Sequence, residues 1–184
     1  VVDQEDLDAA QPTTIGDVLT DLPGVKAIGS ERVLGESFNI RGFGSLGSSD
    51  ENRLIVRVDG ATKFHEQYRV GSFFSDPELY KRVEVLRGPA SSTLYGAGAL
   101  AGVIDLTTKD AADFLKGEDK FAFRQKVELH NNQDGLLSSS TIAARPVDGL
   151  DLLGNFNYRQ ADEYEDGNGT PISGSDFEAP SGLL

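Results

Sequence analysis

The sequence predicts an α+β protein built in two regions. A compact mixture of short helices and strands runs to about residue 116, and long alternating strands follow. Three observations predict it. Glycine makes up 21 of 184 residues, above its usual share of about 7%, which favours turns over long helices. Helical periodicity is confined to short stretches. From Phe121 onward, apolar residues recur at every second position, the period of a half-buried strand.

The elements follow in order. Asp3 to Asp8 is an acidic stretch, expected to be extended or frayed, so residues 1–12 are read as an N-terminal extended segment. Val1-Val2-Asp3 reads as a trimmed start, with no basic region leading into an apolar one. Thr14 suits a helix N-cap, with Asp17 reaching back as the capping-box acid. Ile15, Val18, Leu19 and Leu22 then fall on one helical face, and Pro23-Gly24 ends the helix. Phe38 to Arg41 and Arg53 to Val58 read as strands, the second closed by an Asp59-Gly60 turn. Asp76-Pro77 starts a short helix through Lys81. Val83 to Leu86 is a strand, Gly88-Pro89 opens a second short helix to Tyr95, and Val103 to Thr108 is a final strand. The composition shifts at Lys116-Gly117-Glu118-Asp119, which divides the chain into 13–116 and 117–184.

The second region has three alternating segments. Phe121, Phe123, Val127 and Leu129 face one way, and Arg124, Lys126, Glu128 and His130 the other. Leu136 to Arg145 alternates more weakly through Ser138-Ser139-Ser140, and Leu150 to Gln160 follows a Pro146-Val147-Asp148-Gly149 turn. Each is about ten residues long, enough for a tilted strand to cross a bilayer core. Alternation alone leaves two readings open: a membrane wall, or a half-buried sheet of a soluble protein.

Composition excludes several functions. Lys+Arg 17 against Asp+Glu 30 gives −13, which disfavours nucleic acid and anionic lipid headgroups. No cysteine and two histidines rule out a disulfide framework, a thiolate metal site and a multi-histidine centre. No apolar run approaches the roughly 18–20 residues of a spanning helix. Gly96-Ala97-Gly98 mimics a dinucleotide fingerprint, but a helix precedes it and a strand follows, the reverse of what phosphate binding needs. No nucleophile–base–orienter set stands out, so no enzyme is expected. Glu163 and Glu165, with Asp162 and Asp166, read as solvated loop acids, with a calcium site as the minor option.

Three stretches carry a resemblance: Asn39-Ile40-Arg41-Gly42-Phe43-Gly44, then Leu54-Ile55-Val56-Arg57-Val58-Asp59-Gly60, then Arg82-Val83-Glu84-Val85-Leu86-Arg87-Gly88-Pro89-Ala90-Ser91-Ser92-Thr93-Leu94-Tyr95-Gly96 running on to Gly102-Val103-Ile104. In order and spacing, residues 13–110 resemble the plug domain of TonB-dependent outer-membrane receptors. The resemblance implies a plug at 13–116, with 117–184 as the first antiparallel strands of an incomplete transmembrane β-barrel of roughly 22 strands. The chain is accordingly expected to be a fragment.

The resemblance also implies function. Such receptors sit in the outer membrane of Gram-negative cells, plug inside the lumen, and import a ferric siderophore or haem when TonB of the inner membrane pulls. Implied partners are TonB, the protein's own remaining barrel, the iron chelate and outer-membrane lipid, with no nucleic acid and no intrinsic cofactor. Arg41 and Arg87 fall on the family's plug–barrel locking arginines, with Glu84 as the plug acid within the same set. Ser45 and Ser48 of one loop, and Lys63, Phe64, His65, Tyr68 and Arg69 of another, are the candidate ligand contacts. Aromatic faces beside cations suit an anionic, aromatic chelate, and His65 is a candidate iron ligand. Cobalamin or glycan import, and a plug-like binding or signalling module with no barrel, are the alternatives.

Overall fold

The structure, a computed structural model, describes residues 1–29, 35–42, 54–63, 73, 75–89, 92–95, 99–131 and 134–184. The chain divides into two compact units, Val1–Thr108 and Lys109–Leu184. The division falls ahead of the Lys116 joint read from composition. Its physical reason is packing: Ala111 and Leu115 are buried in a cluster with Ala143, alongside Phe114, Ala122 and Leu153, all of the second unit.

The first unit begins with a correction. Residues expected to be extended form helix α1, Gln4–Ala10. Asp3 supplies the missing signal. Its carboxylate accepts from the Glu5 and Asp6 amides at 3.0 and 3.2 Å, while Asp6 accepts from the Asp3 amide at 3.2 Å. That capping box and the buried Leu7 outweigh the repulsion within the acidic run. Val2 just before it pairs with Val83 through two 2.9 Å backbone bonds. Helix α2, Ile15–Thr20, is capped by Thr14 and Asp17 as the sequence predicts, and Ile15, Val18 and Leu19 are buried.

Strand β1, Val25–Gly29, follows directly and pairs antiparallel with β2, Glu36–Ile40. The remaining strands of this unit form a sheet in the order β4-β3-β6-β5. Here β3 is Leu54–Val58, β4 Ala61–Thr62, β5 Tyr80–Arg87 and β6 Gly102–Thr108. The helix expected at 77–81 shrinks to a 3-10 turn, Pro77–Leu79, because from Tyr80 the backbone is already paired along β6. Helix α3 is a single turn, Ser92–Tyr95. Strand β6 lies between β3, parallel, and β5, antiparallel. It therefore buries Val103, Ile104 and Leu106 in turn. Ile104 and Leu106 join Ile15, Leu19, Phe38, Ile40, Val56 and Val83, and Val103 packs in a second cluster with Ile55 and Ala99, each fully buried large side chain contributing about 1.5–3 kcal/mol. Gly102 starts β6 where nothing larger fits: a Cβ there would stand 2.2 Å from the Leu86 carbonyl oxygen.

The second unit is an antiparallel meander in the order β10-β9-β8-β7. Its strands are β7 Phe121–His130, β8 Gly135–Val147, β9 Leu150–Ala161 and β10 Phe177–Leu183. Strand β10 carries no clear sequence signal, since Pro180, Ser181 and Gly182 break its alternation. It pairs with β9 from Phe177 opposite Ala161 to Leu183 opposite Asn155. The register places side chains on two unlike faces. One carries Phe121, Phe123, Val127, Leu129, Ile142, Leu152 and Phe156, exposed from 48% for Ile142 to 80% for Leu129. The other carries Glu128, Ser139, Thr141, Asn155, Asn157 and Arg159, all buried. Apolar outside and polar inside is the inverse of a soluble half-buried sheet and the pattern of a membrane wall. Even the polar groups of the outer face satisfy one another: Gln125 donates to Ser138 at 3.1 Å and accepts from Ser140 at 2.6 Å. No helix among the described residues is long and apolar enough to cross a membrane.

Candidate functional site

The described part of the candidate site lies in the first unit, on the ends of its strands. Arg41 follows β2 in a left-handed conformation, φ 53°, and Gly42 continues it at 86°. A non-glycine residue there costs roughly 1–2 kcal/mol. Three contacts hold the turn. The Arg41 amide donates to the Gly24 carbonyl at 2.8 Å, the Gly42 amide donates to Asn39 Oδ1 at 3.0 Å, and the Arg41 side chain passes beside Gly24. The side chain itself is exposed and has no partner among the described residues. Arg87, at the end of β5, is exposed too, and its guanidinium donates to the Pro23 carbonyl. The fold thus gathers both arginines at the Pro23-Gly24 turn that closes α2, with no carboxylate among the described residues between them. Glu84 does not join them: it pairs with Arg82 at 2.8 Å, further along β5.

Around β3 the charges are internally matched. Arg57 donates to the Gly60 carbonyl at 2.8 and 3.1 Å, lies 3.8 Å from Asp105 and stacks 4.9 Å over the Tyr95 ring. Burial raises the Asp105 carboxyl, against the pull of Arg57 and with the push of Glu84 and Asp59. Asp59 accepts from the Thr108 amide and hydroxyl at 2.9 and 2.8 Å, tying the β3–β4 turn to the end of β6.

Of the predicted ligand contacts, Ser45, Ser48, Phe64, His65, Tyr68 and Arg69 lie outside the described residues. Lys63 is described. Its amide donates to the Val56 carbonyl at 2.8 Å, and its ammonium stands 4.3 Å over the ring of Phe73. Phe73 is buried and packs on Phe38, ring centres 5.5 Å apart. Lys63 and Phe73 flank residues 64–72 in sequence.

Sequence reasoning missed Glu36, a buried carboxylate on a core strand. Both of its oxygens accept from the Gly16 amide, each at 3.0 Å. Burial is the main cause that pushes its pKa up to about 7, against hydrogen bonds from Thr14 and Gly16 and with help from the charge of Asp17. The one available signal was an acid within a run that is otherwise core.

The other titratable residues singled out by sequence take structural places. His130 ends β7, its Nε2 3.7 Å from Glu128, which also pairs with Lys126 at 2.5 Å. In the 162–176 loop, Asp166 accepts from the Asn168 and Thr170 amides at 2.8 and 3.0 Å, and Glu163 from the Gly174 amide at 2.8 Å. The backbone bonds from Thr170 and Asn168 hold the Asp166 carboxyl below its ordinary range. Among the described residues no group of acids and histidines is placed to hold a metal ion.

The comparisons with known proteins agree with this architecture. The family model "TonB-dependent Receptor Plug Domain" matches residues 1–103. The chain belongs to the TonB-dependent receptor family. The first unit is its plug, and the second is an antiparallel wall that does not close. Among similar proteins is "TonB-dependent heme receptor A" of Haemophilus ducreyi, 34% identical over 94% of this chain and 23% of that protein. The "Hemin receptor" of Yersinia enterocolitica is 35% identical over 94% of this chain and 25% of that protein. The chain therefore spans about a quarter of the length of these curated relatives. Among solved structures, the FrpB iron transporter from Neisseria meningitidis superposes with a TM-score of 0.81 at 26% identity. It covers 99% of this chain and 27% of that one, so the likeness extends through plug and strands alike.

Proposed function

We propose that this chain is the plug and first wall strands of an outer-membrane receptor that binds haem at the cell surface and imports it under the pull of TonB. The carrying observation is the set of relatives named for heme or hemin, similar across 94% of this chain. The two-faced sheet supports the membrane part of the reading. Its apolar face suits lipid and its polar face a wet lumen.

Within this reading Arg41 and Arg87 lock the plug. Two exposed guanidiniums at one turn, with no carboxylate of the described residues beside them, form a receptor for wall carboxylates. Such pairs hold at rest and part under directed force. His65 serves as an axial ligand to haem iron, and Lys63, Tyr68 and Arg69 serve its propionates and ring edge. Ser45 and Ser48, of the 43–52 loop, serve as further ligand contacts.

Two measurements test the proposal. A strain lacking the gene should fail to grow on haem as sole iron source and be restored by the intact gene. Growth on haem without the gene, or a need for it only with a ferric siderophore, would refute the haem assignment. Haem titration of the complete receptor should give an iron-region spectrum that changes in His65→Ala. Identical spectra would remove His65 from the site.

A further inference from the structure

Glu36 belongs to two structures at once. Its backbone pairs with Phe73 through two bonds of 2.9 Å, Glu36 N–H to Phe73 O and Phe73 N–H to Glu36 O. Its side chain receives the Gly16 amide on both oxygens. Gly16 lies in the first turn of α2, where amides have no partner within the helix. The fit is close. A Cβ at position 16 would stand 2.2 Å from Glu36 Oε1 and 2.4 Å from the Ala27 Cβ. Only glycine lets the carboxylate reach the helix backbone.

We propose that Glu36 is a positioning residue that couples the chain at Phe73 to the start of helix α2 in the N-terminal part of the plug. Its parts form a continuous path. Lys63 covers the Phe73 ring, Phe73 packs on Phe38 and pairs with Glu36, and Glu36 caps α2. A displacement of Phe73 carries the β2 backbone with it and draws the carboxylate off the Gly16 amide. A hydrogen bond weakens steeply with distance and angle, so a shift too small to disturb the hydrophobic core is still felt at the helix. The coupling requires no knowledge of the ligand and stands whichever chelate the receptor carries.

The test is a double-substitution cycle on the complete receptor, read by hydrogen exchange of the α2 amides, with β6 as the internal control. Phe73→Leu should speed exchange at Gly16 to Val18 by about fivefold and leave β6 unchanged. In a Glu36→Ala background, which removes the acceptor that glutamine would keep, the same substitution should change α2 exchange by less than about twofold. If Phe73→Leu leaves α2 untouched, or acts equally in both backgrounds, the coupling does not pass through Glu36. Lys63→Gln removes only the cation above the ring and reads the same cycle should Phe73→Leu prevent assembly. Again the effect on α2 must vanish with Glu36, and its persistence overturns the proposal.

Discussion

Replacing Glu36 by glutamine should abolish a pH dependence in the plug that the wild type possesses. The folded carboxyl has a pKa of about 7, against an ordinary 4.5. At 1.36 kcal/mol per pKa unit, that difference corresponds to about 3 kcal/mol. The sign follows from proton binding. Between 4.5 and about 7 the folded state holds a proton that the opened state has lost, so stability from this group is full below the unfolded value and lost as pH rises through the folded one. Asp17 on α2 is the charge that adds to burial, while the Thr14 and Gly16 bonds oppose it. The charged residue of β1, Lys26, is exposed and pairs in register with Asn39 rather than with Glu36. The assay is hydrogen exchange of the α2 amides in the complete receptor between pH 5 and 8, corrected for intrinsic exchange. Wild-type protection should fall across that range by up to about two orders of magnitude, and Glu36→Gln should be flat. A flat wild type, or an equal slope in both proteins, would refute the reasoning.

Three further outcomes are expected. Arg41→Ala and Arg87→Ala should each alter iron uptake while leaving exchange protection of the β6 core strand intact, because both guanidiniums are exposed; normal uptake by both variants would end the locking role. Gly102→Ala places a methyl 2.2 Å from the Leu86 carbonyl, so it should destabilise the β5–β6 pairing by about 1–3 kcal/mol, seen as faster exchange in β6. Phe156→Arg, on the exposed apolar face, should cost about 2–4 kcal/mol if that face meets lipid and lower the amount of receptor assembled in the outer membrane. Undiminished assembly would mean the face lies elsewhere.

Much of the fold was legible because its signals are local. Thr14 with Asp17 marks α2 by side chains three residues apart, and the alternation of β7 and β9 is written in single residues. The plug motifs are contiguous, so Arg41 and Arg87 could be named before any geometry. What stayed hidden depends on pairing at a distance. Helix α1 hid behind its acidity, since the benefit of the Asp3–Asp6 capping box and the burial of Leu7 exceed the repulsion that the run suggests. Strand β5 reaches back to Tyr80 because β6 is there to receive it. Strand β10 exists because β9 offers an edge, whatever Pro180 and Gly182 prefer by themselves.

The amino-acid sequence by itself determined the two-region plan, the family and the positions of the arginines, because periodicity, capping and contiguous motifs need no partner to be read. Only the tertiary structure decided that Arg41 and Arg87 share the Pro23-Gly24 turn, that the second region turns its apolar face outward, and that Glu36 reaches the amide of Gly16. Twenty residues separate those last two, and no local pattern encodes a bond that forms only after two elements have packed. Burial, which sets that carboxyl's pKa, is a property of the packed neighbours and not of the glutamate.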